Sequence, residues 1–145
     1  MNKTYIPQLK IDHQWFIINA ENQNLGKLSS KVAQILKGKS TNTYSPHLNS
    51  NIHIVLLNSK LINLTGKKKL NKIYKKHSGY PGGLKVKTFY EIQSKQPNKI
   101  LEKSIRGMLP KGRLGRQLFR QLKIYPENIH PHEAQKPQII KLDLD

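Results

Sequence analysis

The residues best suited to chemistry lie in one window, 103–125, KSIRGMLPKGRLGRQLFRQLKIY. It carries Lys103, Arg106, Lys111, Arg113, Arg116, Arg120 and Lys123, and neither Asp nor Glu. The chain has 22 Lys but only four Arg, and all four Arg fall inside this window. An Arg side chain is a planar fork that makes two parallel hydrogen bonds to one phosphate and stacks on bases, whereas Lys acts as a hydrated point charge. A chain that uses Lys elsewhere and places every Arg here points to a site where fork geometry matters. The competing reading is a solvated basic face. A second basic stretch holds Lys67, Lys68, Lys69, Lys72, Lys75, Lys76 and His77, followed by Gly79-Tyr-Pro-Gly82-Gly83, Lys85 and Lys87. Nine Lys lie from Lys60 to Lys87 with no acid among them, and Tyr74 and Tyr80 are interleaved. Cations mixed with aromatic rings suit contact with a polyanion, and His77 fits a stacking or phosphate contact better than a catalytic base.

Other constellations are weaker. Gly112-Arg-Leu-Gly115 has the four-residue spacing of the loop with which KH modules clamp a nucleic-acid backbone. Its Gly would allow close approach to phosphate, but the expected strand order does not fit KH. There is no G-x-x-x-x-G-K-[ST] and no G-x-G-x-x-G between the first strand and its helix, so a nucleotide cofactor is not expected. His130-x-His132 could offer two imidazoles to a metal, yet with Pro131 between them a rigid surface turn is the better reading, and no metal site is expected. The eight acids are scattered, two of them in the last three residues, so no convergent pair exists for acid-base catalysis. The chain does not read as an enzyme and calls for no cofactor.

Composition narrows the partner. A formal charge of +18 and a pI near 10.2 on 145 residues imply strong self-repulsion, tolerated when a polyanion neutralises it. Nucleic acid is the first candidate, with a DNA-binding nucleoid-type protein as the rival binding module. No run of 18 apolar residues exists to span a membrane, and the first ten residues lack the apolar centre of a signal peptide. The absence of Cys removes disulfides and thiolate metal sites.

The elements that must position these groups read as one α/β domain covering residues 1–145. Residues 1–14 form a polar arm. Trp15-Phe-Ile-Ile18 and Ile52-His-Ile-Val-Leu-Leu57 are apolar runs that suit strands of a parallel sheet. Between them Leu25, Leu28, Val32, Ile35 and Leu36 recur at helical spacing, so a helix is expected over 25–37, with Asn24 as its cap and Gly38 at its end. Residues 61–65 read as a further strand, and the basic stretch after Gly66 as a long surface loop. Thr88-Phe-Tyr-Glu91 is a capping box that starts a helix to about Gln96. Pro97 opens the next helix, whose apolar face is Ile100, Leu101, Ile105, Met108 and Leu109, and Pro110 stops it. A last helix over 114–123 would align Arg113, Arg116, Arg120 and Lys123 in one stripe beside Leu118, Phe119 and Leu122. The tail from 126 to 145 reads as extended.

At Ile105-Arg-Gly-Met-Leu-Pro-Lys-Gly-Arg-Leu-Gly-Arg116, followed by Leu118, Phe119 and Leu122-Lys-Ile-Tyr125, the chain resembles the ribosomal large-subunit protein thirteen family in its bacterial and organellar form. Collinear pieces agree: Leu25-Gly-Lys-Leu28, Tyr44-Ser-Pro-His47, Thr65-Gly-Lys67, His77-Ser-Gly79 and Ala134-Gln-Lys-Pro137. The resemblance implies a three-layer α/β/α fold with a small, mainly parallel sheet, and a structural role in binding large-subunit ribosomal RNA early in assembly. Neighbouring large-subunit proteins would be the other partners, with no membrane and no small-molecule substrate. The family's RNA-facing parts correspond to residues 67–83 and 106–123. Where the family often has acids after Pro46-His47, this chain has Leu48-Asn-Ser-Asn51. The spacing around His130 and Gln135 resembles plastid and cyanobacterial members. A ribosome in the plastid stroma is therefore the expected location, with the bacterial cytoplasm as the alternative.

Overall fold

The computed structural model describes residues 13–42 and 44–142. Most of the expected N-terminal arm, residues 1–12, lies outside them. Strand β1 (Gln14–Asn19), helix α1 (Leu25–Leu36) and strand β2 (Ile52–Leu57) form the expected β-α-β unit. The two strands pair in parallel from Gln14↔Ile52 to Asn19↔Leu57. Their alternation separates two faces. Ile18, Ile52, Ile54 and Leu56 point into the main core, whereas Trp15, Ile17, His53 and Val55 point to the opposite face.

The α1 stripe Leu28, Val32 and Leu36 is wholly buried. Its C-terminus is closed by Gly38 at φ +72°, a conformation that disfavours a side chain. The Ser50 hydroxyl also donates to the Leu36 carbonyl at 2.7 Å. The acid-free stretch before β2 is thus tied to the end of α1. At the other end, Asn24 takes the cap position without a side-chain hydrogen bond. The Leu25 N–H instead donates to the Asn63 carbonyl at 3.0 Å. Residues 61–65 are therefore not the expected strand. After a single 3₁₀ turn (Ser59–Leu61) they bury Ile62 and Leu64 and make one isolated bridge, Asn24↔Asn63. Apolar alternation here serves docking and not a ladder.

The expected basic loop is ordered structure. Helix α2 (Lys68–Asn71) leads into strands β3 (Ile73–His77) and β4 (Leu84–Thr88), an antiparallel hairpin running from Ile73↔Thr88 to His77↔Leu84. Gly79 and Gly82, at φ +96° and +72°, let the connecting turn reverse. Thr88 then caps helix α3 (Phe89–Lys95) with both hydrogen bonds of the capping box. Pro97 precedes helix α4 (Asn98–Met108), which buries Ile100, Leu101, Ile105 and, just past its end, Leu109. Met108 does not join that face; it is 40% exposed.

Helix α5 (Arg113–Arg120) ends three residues earlier than expected, and strand β5 (Leu122–Ile124) follows at once. β5 pairs in parallel with β2, and the Asn98 side-chain amide donates to the Ile124 carbonyl at 3.0 Å, fixing the sheet edge against α4. The tail contributes strand β6 (Gln138–Ile139) parallel to β1, so it is not merely extended. The sheet order is β5-β2-β1-β6, all parallel, flanked by helices as an α/β/α fold requires.

Candidate RNA interface

Arg113, Arg116 and Arg120 occur at spacings of three and four, which places them along one side of α5, and all three are exposed. The opposite side is held by buried Gly115 and Leu118. Gly115 answers the question raised by Gly112-Arg-Leu-Gly115. A Cβ there would lie 1.6 Å from the Pro110 carbonyl oxygen. The glycine serves close packing of α5 on the Pro110 turn.

That packing brings the fourth Arg in. Arg106, in the last turn of α4, sets its guanidinium 5.7 Å from the centre of the Phe119 ring. Arg106, Lys111, Arg116 and Arg120 surround a cleft of about 420 Å³ whose remaining lining is Leu109, Pro110, Gly115 and Phe119. None of the four Arg has a carboxylate partner among the described residues.

The second basic cluster joins the first through an aromatic ring. Lys72 at the end of α2 lies 5.6 Å from the Tyr74 ring centre, and Lys103 of α4 lies 5.0 Å from it. Lys103 and Arg106 are three apart on α4, so cations run from the hairpin along α4 to the Phe119 cleft. Burial raises the Tyr74 hydroxyl above its usual pKa, keeping the ring neutral beneath its two cations. Tyr74, Lys76, Lys85 and Lys87 share one face of the hairpin, while Ile73, Lys75, His77, Leu84 and Val86 share the other. Lys67, Lys68 and Lys69 are exposed around α2. His77 accepts the Gly79 N–H on Nδ1 at 2.9 Å, which leaves Nε2–H as its outward donor.

Lys123 is separated from this surface. It lies on β5 opposite Val55, on the sheet face of Trp15 and His53, and not on the arginine stripe of α5. Sequence reasoning missed the cluster found there. Trp15 and His53, paired across β1 and β2, stack 4.4 Å apart at 11°. His132 tilts against Trp15 at 5.2 Å, and its Nε2 is 2.8 Å from the Tyr125 hydroxyl. His13 Nδ1 is 3.1 Å from His53 Nε2. Burial, then the charges of His13, Lys123 and His132, lowers the pKa of His53, and burial followed by Lys123 and His130 lowers that of His132. His130 Nδ1 accepts the His132 N–H at 3.1 Å, so this pair builds a turn, as the intervening proline suggested. The period-two matching of Trp15 with His53 was the available signal, but the pairing of His132 with them depends on the tail's return as β6.

Among the described residues no helix is long and apolar enough to cross a membrane. A sequence profile described as Ribosomal protein L13 matches residues 13–131. A large ribosomal subunit protein uL13c of Gracilaria tenuistipitata var. liui is 63% identical over 140 residues, covering 97% of this chain and 98% of that protein. The uL13c of Porphyra purpurea is 49% identical, covering 95% of this chain and 97% of its own. The uL13 of Prochlorococcus marinus (strain NATL1A) is 50% identical, covering 99% and 96% respectively. The hairpin, the GMLP turn and the arginine helix lie inside the matched span, and the chain belongs to the ribosomal protein L13 family.

Proposed function

We propose that the chain is a structural constituent of the large subunit of a plastid ribosome, binding large-subunit ribosomal RNA and supporting early subunit assembly. The observation that carries this is near-full-length similarity to large-subunit proteins of the uL13 and uL13c type. The charge of +18 supports RNA as the principal partner, with neighbouring large-subunit proteins as the others. The plastid assignment is supported by two algal uL13c relatives standing beside a cyanobacterial uL13. The role is architectural and not enzymatic.

The RNA-facing residues under this reading are Lys67, Lys68, Lys69, Lys72, Lys75, Lys76 and His77 around the hairpin, and Arg106, Lys111, Arg113, Arg116 and Arg120 around α5. Lys123 is a separate candidate contact on the sheet face. Phosphate contacts position such a protein and supply most of its affinity. The test is sedimentation of a native lysate through sucrose, following the protein before and after a high-salt wash. Retention with the large subunit is the expected result. Release into the light fractions would favour the rival, a basic protein of comparable affinity for long duplex DNA.

A further inference from the structure

The cleft between α4 and α5 has features that contact with a regular RNA backbone does not need. Phosphates on a helix exterior are met by exposed cations on a convex surface, as Arg113 is placed to do. Here Arg106, Arg116, Arg120 and Lys111 instead surround a concavity of about 420 Å³ also lined by Pro110 and Phe119. That volume falls among pockets of roughly 300–1,000 Å³ that enclose small ligands, and it is far too small for a duplex. The Arg106 guanidinium lies over the Phe119 ring at 5.7 Å, so a cation and an aromatic ring stand together beside two further forks. Aromatic rings and guanidinium planes take bases; forks take phosphates. The fold maintains this space, because Gly115 brings α5 within reach of the Pro110 carbonyl.

We propose that the cleft binds a single unpaired nucleotide turned out of its RNA helix. Its base stacks against the Arg106–Phe119 pair and its phosphate is held by Arg116 and Arg120. The inference rests on the RNA-binding reading above and adds the form of RNA that this site selects. The shared chemistry is a nucleoside phosphate, and the test separates a nucleotide within RNA from a free one.

The full chain is titrated with three hairpin RNAs of equal length: fully paired, with one bulged 2-aminopurine, and with an abasic residue at the bulge. The bulged base is expected to bind about tenfold more tightly than the abasic control, as one stacked base allows, with its fluorescence quenched on binding. Phe119→Leu should bring that ratio close to one. Arg106→Lys, which keeps the charge and changes an exposed side chain, should do the same where the Leu variant fails to fold. Equal affinity of wild type for the base-containing and abasic bulges would overturn the proposal. So would saturation of the cleft by AMP with no preference for the bulge, which would assign it to a free nucleotide. If replacing Arg113, Arg116 and Arg120 by Lys weakens all three RNAs while the bulge preference is absent, the pocket fails and the interface stands. If neither the bulge nor those arginines matter, the interface reading fails with it.

Discussion

Gly115 and the four Arg show what single residues decide. At Gly115 the added methyl of Ala would collide with backbone, the Pro110 carbonyl, and not with a side chain that can swing away. Gly115→Ala should therefore destabilise the fold by about 1–3 kcal/mol, the usual cost of overpacking, measured as a lower denaturant midpoint with unchanged m. An unaltered midpoint would mean that α5 lifts freely from the Pro110 turn. The Arg argue differently, because their charge is replaceable and their shape is not. Replacing Arg113, Arg116 and Arg120 by Lys should preserve the fold and weaken RNA binding at least several-fold, since a point charge cannot form the paired bonds of a guanidinium. Unchanged affinity would show that bulk charge suffices. The confinement of all four Arg to one window was visible in the chain, as was the capping box at Thr88. The reason for Gly115 was not, because a glycine's packing partner is set by how two helices cross. Met108 was misplaced too: its spacing fits the buried face of α4, but it is the last residue of that helix and is 40% exposed.

Elements marked by their own apolar pattern or capping were readable; those defined by partners were not. β1 and β2 announce themselves as continuous apolar runs, and α1, α3 and α4 by helical spacing or capping. β4 also carried a signal, Leu84 and Val86 alternating with Lys85 and Lys87 after a glycine turn, but the density of Lys obscured it. Leu122-Lys-Ile124 continues the helical spacing of α5 for one more turn, and only the open edge of β2 makes it a strand. β6 is two residues long and is specified by β1 alone. The same dependence on partners gives the tail a titratable attachment. His53 and His132 have folded-state pKa values below the ordinary 6.5, so the unfolded chain binds more protons as the pH falls. Their contribution to stability is complete above about pH 6.5 and declines as the pH drops through that value towards the lowered ones. His53→Phe retains a ring against Trp15 and removes one titrating group. Its unfolding midpoint should fall less than wild type's between about pH 7.5 and pH 5. Parallel profiles for the two proteins would show that this cluster does not set the acid response.

For the whole molecule, the charge of +18 makes salt act in opposite directions on the free chain and on its complex. In the free chain, cations along the hairpin, α4 and α5 repel one another across distances near the Debye length, about 10 Å at 0.1 M salt. Screening should therefore raise the melting temperature of the isolated protein. If those cations face RNA as proposed, they displace counterions in the complex, so the same salt should weaken binding. Each neutralised phosphate contributes about 0.7–0.9 to the steepness of log K against log salt. Lys67, Lys68 and Lys69 are exposed around a four-residue helix with no buried side chain, so changing all three to Gln should leave the far-ultraviolet circular dichroism spectrum intact. If each meets one phosphate, the slope should flatten by about two units, while the variant's melting temperature becomes less dependent on salt. A flattened melting response with an unchanged binding slope would place these lysines in the self-repulsion of the free chain but away from RNA. Flattening of both would show that the repulsion limiting the free protein is relieved by the partner that uses the charge.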